Sequence, residues 1–160
     1  MTLIWLIPFL LQGIIMGVDE FHYHRERGLP PWERIGHPID TFLFVLCLAF
    51  TLIASPGTSM LKIYAGLAAL SCVVITKDEF IHTELCSKTE NWLHALLFVL
   101  HPVVLIEVGA IWAGVGSPPA LGRAIIPGEC LLVWIFLAYQ IIFWWGPCHE
   151  RQQRVLRSAR

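Results

Sequence analysis

Five long apolar segments limit how this chain can fold more than any other feature of the sequence. A helix that crosses a lipid bilayer needs about 20 mostly apolar residues. Charged residues make up only 14% of the 160 residues, against roughly 25% in soluble domains. We therefore predict an all-α integral membrane protein, with one transmembrane domain over residues 1–160. The predicted spans are Thr2–Val18, Pro38–Ser55, Ser59–Thr76, Trp92–Gly114 and Gly128–Trp145.

The basic residues predict an orientation in the membrane. Lys and Arg are enriched in cytoplasmic loops, and nine of the eleven lie in connections on one side of the predicted spans. We expect an external N-terminus and a cytoplasmic C-terminus with a basic tail over 148–160, in a bacterial inner membrane. The first segment lacks the positive start of a signal peptide, so we expect it to be retained. The net charge of −1 argues against nucleic acid as a partner.

The same polar cluster follows two of the apolar segments. Residues 19–24 read DEFHYH and residues 78–82 read DEFIH. Each cluster is followed by a polar connection with a tryptophan, a histidine and another apolar helix. This order predicts two parallel helical hairpins, over about residues 2–55 and 59–114, that form a four-helix bundle. The fifth span, over about residues 128–145, has no counterpart and is expected to pack outside the four.

Helical spacing places the acids and histidines on common faces. Successive residues of an α-helix advance by about 100°, so Glu20 and His24 project about 40° apart, and Glu79 and His82 about 60° apart. Charged groups inside membrane spans are costly and usually face the bundle interior, where a metal ion can neutralise them. The candidate metal ligands are Asp19, Glu20, His24, His37, Asp40, Asp78, Glu79, His82, His94 and His101.

The repeat separates the acids that are expected to bind metal from other acids nearby. If both halves build one site, removal of Glu20 and removal of Glu79 should lower the metal content severely and to a similar extent. Replacement of Glu26 or Glu33, which lie off the repeat, should change the metal content very little. His101 is either a ligand or a core histidine that bonds to a backbone carbonyl.

Mixed carboxylate and imidazole ligation suggests a class of metal. The Glu-x-x-His of residues 79–82 resembles part of the ferritin-like di-iron pattern, although residues 20–24 read Glu-x-x-x-His. Such donors suit iron, manganese or zinc. We expect two iron ions that oxidise or hydroxylate a lipid-like substrate with the help of a redox partner. The alternatives are a zinc-dependent lipid hydrolase and a non-catalytic metal-binding or structural membrane subunit.

Overall fold

The structure is a computed structural model that describes residues 2–78, 86–115 and 119–146. The elements in these ranges are helical, and five helices are long and apolar enough to cross a membrane. The prediction of five helices of the membrane-spanning type is confirmed at this level. Two short 3₁₀ turns lie at Thr2–Leu6 and Thr76–Asp78. The five helices are α1 (Ile4–Arg27), α2 (Pro31–Ile53), α3 (Thr58–Ile75), α4 (Lys88–Trp112) and α5 (Pro119–Trp145).

Local sequence signals explain where the helices begin and end. Gly28 follows α1 with a φ of 76°, a conformation that glycine adopts without steric cost. Pro31 is the first residue of α2, where its missing N–H removes no helical hydrogen bond. Ser87 and Glu90 form a capping box at the start of α4, because the hydroxyl of Ser87 accepts from the Glu90 N–H and the Glu90 carboxylate accepts from the Ser87 N–H.

Besides α5, which starts at Pro119 rather than Gly128, two helices begin several residues earlier than the sequence suggested. The helix α2 starts at Pro31 rather than Pro38, and α4 starts at Lys88 rather than Trp92. Hydropathy missed these first turns because they are polar. Glu33 and Glu90 therefore lie on helices that continue into the apolar part of the bundle.

The central helices of the bundle are α2 and α4. The helix α2 packs against α3 and α5, and α4 packs against α1 and α3. Phe44 and Leu48 of α2 and Leu105 and Val108 of α4 are buried between them. The Tyr64 hydroxyl donates to the Leu105 carbonyl over 2.6 Å, which joins α3 to α4 within this apolar core.

The outer surface of the bundle is apolar. Ile53 is 86% exposed, and Ile106 and Ile142 are exposed to a similar degree. Large exposed apolar side chains on the outside, together with buried charged groups inside, are typical of helices that face lipid. Membrane insertion and its orientation remain predictions.

The helix α5 makes polar contacts with the bundle, and its expected place outside the other four helices stays a prediction. It lies against α2, where the Thr41 hydroxyl donates to the Gln140 side-chain carbonyl over 2.7 Å. The parallel repeat stays a prediction, because Glu79 and His82 lie outside the described residues and the side chain of Asp78 is not described either.

Candidate metal centre

Buried acids and histidines gather at one end of the bundle, where α1 ends and α2 and α4 begin. Their side chains are nearly all shielded from solvent, and His24, Glu20 and Glu33 are at most 2% exposed. Buried charges of this kind require partners or a metal. The residues of this acid–histidine cluster are Asp19, Glu20, His24, Glu33, His37, Glu90 and His94.

His24 lies at the centre of the cluster because α1 changes its helical geometry. Residues Asp19–His24 form a turn of π-helix, in which residues five apart are brought together. The His24 Nδ1 lies 3.4 Å from Glu20 Oε2, and its Nε2 lies 3.2 Å from Asp19 Oδ2. A continuous α-helix would place Asp19 and His24 about 140° apart, so the π turn lets one imidazole contact both acids.

Asp19 connects α1 to α4 through a second histidine. The His94 Nε2 lies 3.0 Å from Asp19 Oδ1, so each oxygen of Asp19 faces a different imidazole. The His24 ring centroid lies 6.1 Å from that of His94 and 4.7 Å from that of His37 on α2. Three imidazoles from three helices therefore converge beside one carboxylate.

The acids of α2 and α4 are joined by an arginine. The Arg27 Nη2 donates to Glu33 Oε2 over 2.8 Å and to Glu90 Oε1 over 3.1 Å. The other oxygen of Glu90 accepts from the Ser87 N–H. Because several donors hold these carboxylates, their positions at the edge of the cluster are well defined.

Glu20 is held by the fifth helix. The Trp144 Nε1 donates to Glu20 Oε1 over 2.7 Å, and the Tyr139 hydroxyl donates to the same oxygen over 3.1 Å. Arg25 donates in turn to the Tyr139 hydroxyl and its guanidinium lies 4.9 Å from the centroid of the Phe143 ring. Tyr139 and Trp144 thus orient a carboxylate that adjoins His24.

Two sets of side chains can each hold a metal ion, and both include His24. Asp19, His24, Glu90 and His94 each offer one donor atom, and these four atoms lie within 4.8 Å of one another. His24, Glu33 and His37 do the same. The Nε2 of the buried His24 has no hydrogen-bond partner among the described residues, although Asp19 is within reach. The His24 Nε2 and Asp19 Oδ2 lie 3.2 Å apart, a separation at which one ion could bind both.

Two of the predicted ligands, Asp40 and His101, lie next to the cluster and form hydrogen bonds with residues outside it. The Lys77 ammonium donates to both oxygens of Asp40, over 2.6 and 2.7 Å. His101 pairs with the Ser71 hydroxyl over 2.9 Å, rather than with a backbone carbonyl. Neither Asp40 nor His101 belongs to the two donor sets.

A cavity of about 110 Å³ extends from the cluster into the bundle. Asp19, Glu20, His24, His37 and His94 line its polar end together with Asp40. Its other walls are mainly apolar, and His101 lies among them. These walls are built by Met16, Phe44, Leu97, Phe98 and Phe136.

The sequence did not single out Glu33 and Glu90. Replacement of Glu33 was expected to have little effect on metal content. The Glu33 side chain is nevertheless fully buried, is paired with Arg27 and belongs to a donor set. Glu26, treated as its equal, is exposed and pairs with the exposed His22. The Ser-x-x-Glu pattern of residues 87–90 is a capping-box signal that could have placed Glu90 at a helix start.

Cys86 lies beside this edge of the cluster, outside the apolar spans. Burial raises the pKa of the Cys86 thiol, Arg27 opposes this effect, and the nearby Glu90 carboxylate raises the pKa further. The thiol is therefore protonated at neutral pH. The donor atoms of the cluster remain imidazole nitrogens and carboxylate oxygens.

Comparisons of the chain with family models, with curated proteins and with solved structures found no match.

Proposed function

We propose that this chain is an integral membrane metalloprotein that binds a divalent metal ion between α1 and α4. The observation that carries the proposal is the convergence of Asp19, His24, Glu90 and His94, four buried side chains whose donor atoms lie within 4.8 Å of one another. Tetrahedral and octahedral metal sites use donors of these types at bond lengths of about 2.0–2.2 Å. Small side-chain movements therefore suffice to close the site on an ion.

Charge balance supports a bound cation. Counted as ionised groups, with the histidines neutral, the carboxylates outnumber the bases by two. Uncompensated charge is costly in a low-dielectric interior, and one divalent ion supplies the missing charge while it takes histidine lone pairs. The carboxylates in or beside the cluster are Asp19, Glu20, Glu33, Asp40 and Glu90. The bases that pair with them, directly or through Tyr139, are Arg25, Arg27 and Lys77.

We propose iron as the metal and oxidation or hydroxylation of a lipid-like substrate as the reaction. Nitrogen and oxygen donors suit iron, manganese and zinc, and bound iron would supply the redox chemistry. Zinc in the same site would instead favour hydrolysis of a lipid, because zinc lowers the pKa of a bound water. A redox partner is required for the iron reaction and not for the zinc reaction, so the metal present separates the two.

The cavity supports a substrate that is at least partly apolar. Its polar end is the cluster, and Phe44, Leu97 and Phe98 contribute to its apolar walls. A volume of about 110 Å³ is well above the roughly 10–15 Å³ that one water needs, so the cavity has room for a small apolar group. We propose that the end of an apolar chain enters this cavity from the bilayer and meets the metal there.

A structural role without chemistry is the second candidate function. The observation that favours it is the pairing of Glu33 and Glu90 by Arg27, since an internal ion-pair network can satisfy buried acids without any metal. In this case the cluster would fix the packing of α1, α2 and α4, or hold a partner protein.

Elemental analysis of the purified protein tests the proposal. We expect iron at one atom per chain, and zinc at one atom per chain would favour the hydrolase instead. His94→Gln should lose the metal, because His94 belongs to the donor set, whereas His22→Gln should keep it, because His22 is exposed. Absence of metal from the native protein would leave the structural role.

The proposed repeat is tested in the same experiment. Glu20→Ala and Glu79→Ala should lose similar fractions of the metal if one site uses both halves. Glu26→Ala should retain the full metal content. A full metal complement in either Glu20→Ala or Glu79→Ala would disprove a site shared between the halves.

A further inference from the structure

The guanidinium of Arg27 lies between the two donor sets. It bridges Glu33, a member of the set with His24 and His37, and Glu90, a member of the set with Asp19 and His94. We propose that Arg27 takes the place of a second metal ion and so limits the wild-type cluster to one ion. This inference rests on the proposed function for the first ion, but it makes a separate claim about the second position.

The distances around Arg27 fit this substitution of one cation for another. Its Nη2 lies 2.8 Å from Glu33 Oε2 and 3.1 Å from Glu90 Oε1. A metal ion at that point would need bonds of about 2.0–2.2 Å, so each carboxylate would have to move by roughly 1 Å or less. His37 would supply a nitrogen ligand, because its donor atom lies within 4.8 Å of those of Glu33 and His24.

The chemistry of arginine makes the replacement permanent at physiological pH. A guanidinium stays protonated in proteins and presents several donors in a fixed plane. Arg27 uses Nη1 and Nη2 on Glu33, and Nε and Nη2 on Glu90. It therefore supplies one fixed positive charge where a divalent ion would supply two, and it keeps both acids in place without metal.

The shared histidine shows which residues would remain for a second ion. His24 belongs to both donor sets, and a neutral imidazole has only one lone pair for a metal. Two ions could share His24 only as a deprotonated imidazolate. His24 would therefore serve the ion beside Asp19 and His94. When Arg27 is removed, Glu33, His37 and a carboxylate oxygen of Glu90 would hold the second ion.

The test counts Zn²⁺ per chain in matched variants. Wild type, Arg27→Met, Arg27→Lys and Arg34→Met are purified in detergent, stripped of bound metal with a chelator, loaded with excess Zn²⁺, dialysed and measured by elemental mass spectrometry. Arg27→Met should bind one ion more than wild type, because Glu33 and Glu90 lose their cation. Arg27→Lys should match wild type, because the positive charge remains. Arg34→Met is the control, since the Arg34 side chain donates to the Leu29 carbonyl.

The possible counts separate this inference from the proposed function. If wild type binds no Zn²⁺ and Arg27→Met binds one, the inference holds and the proposed function fails. An unchanged or lower count in Arg27→Met overturns the inference, as does a gain in Arg27→Lys or Arg34→Met. Arg27→Met that is unstable without metal should be recovered as monodisperse protein when Zn²⁺ is present during expression and purification. Aggregation of this variant at every Zn²⁺ concentration would also overturn the inference.

Discussion

Replacement of His24 by alanine should remove both the metal and a large part of the stability. His24 is 1% exposed, contacts Asp19 and Glu20, and belongs to both donor sets. Its removal leaves the charge of two buried carboxylates less compensated, and loss of one partner of a buried charge costs about 3–5 kcal/mol. For a chain of this length, 1 kcal/mol corresponds to roughly 2–4 °C in Tm, so the loss should be about 6–20 °C.

The matched control is His22→Ala, two residues away in the same turn. The His22 side chain is 59% exposed and pairs with Glu26, which is 70% exposed. Exposed pairs of this kind contribute at most about 1 kcal/mol, so this variant should keep its metal and nearly all of its Tm.

The assay is thermal unfolding in detergent, with and without a chelator, on wild type and both variants. Chelation should lower the Tm of wild type and of His22→Ala, because a ligand that binds only the folded state stabilises it. It should leave His24→Ala unchanged. A His24→Ala protein that retains its metal and melts within 2 °C (about 1 kcal/mol) of His22→Ala would refute this account of the cluster.

Two further predictions concern the acids and the orientation. Glu33→Ala should lower the Tm by roughly 6 °C or more, because Arg27 then loses one of its two carboxylate partners at a buried site. Glu26→Ala should change the Tm little. Equal effects of the two substitutions in thermal unfolding would contradict the assigned burial. A reporter fused at the C-terminus should behave as cytoplasmic and one inserted in Ser117–Gly122 as external, and the reverse result would place the cluster at the outer surface.

The helices and part of the cluster could be predicted because their signals are local. Hydropathy alone located the five helices, since each needs a long apolar stretch. The α-helical spacing of Glu20 and His24 predicted a common face, and both side chains are buried side by side.

The rest of the cluster depends on contacts between distant residues. Arg27 and Glu90 are 63 positions apart, and Tyr139 and Glu20 are 119 apart. No periodicity links such pairs, and a run that mixes acids and bases resembles a solvated loop. Glu33 therefore looked like an ordinary surface acid, although it is buried with Arg27.

The π turn of α1 has a consequence for the evolution of the two DEF clusters. From Asp19 to His24 the spacing is five residues, whereas from Asp78 to His82 it is four. A π turn is the form that a helix takes when it accommodates one inserted residue, and residues four apart already share a face in an ordinary α-helix. If the predicted repeat reflects a duplication, the spacings correspond to an ancestral Asp-Glu-x-x-His segment whose first copy gained one residue. A relative that lacks one of Phe21, His22 or Tyr23 would then keep an acid and a histidine on the same face, with an uninterrupted α-helix.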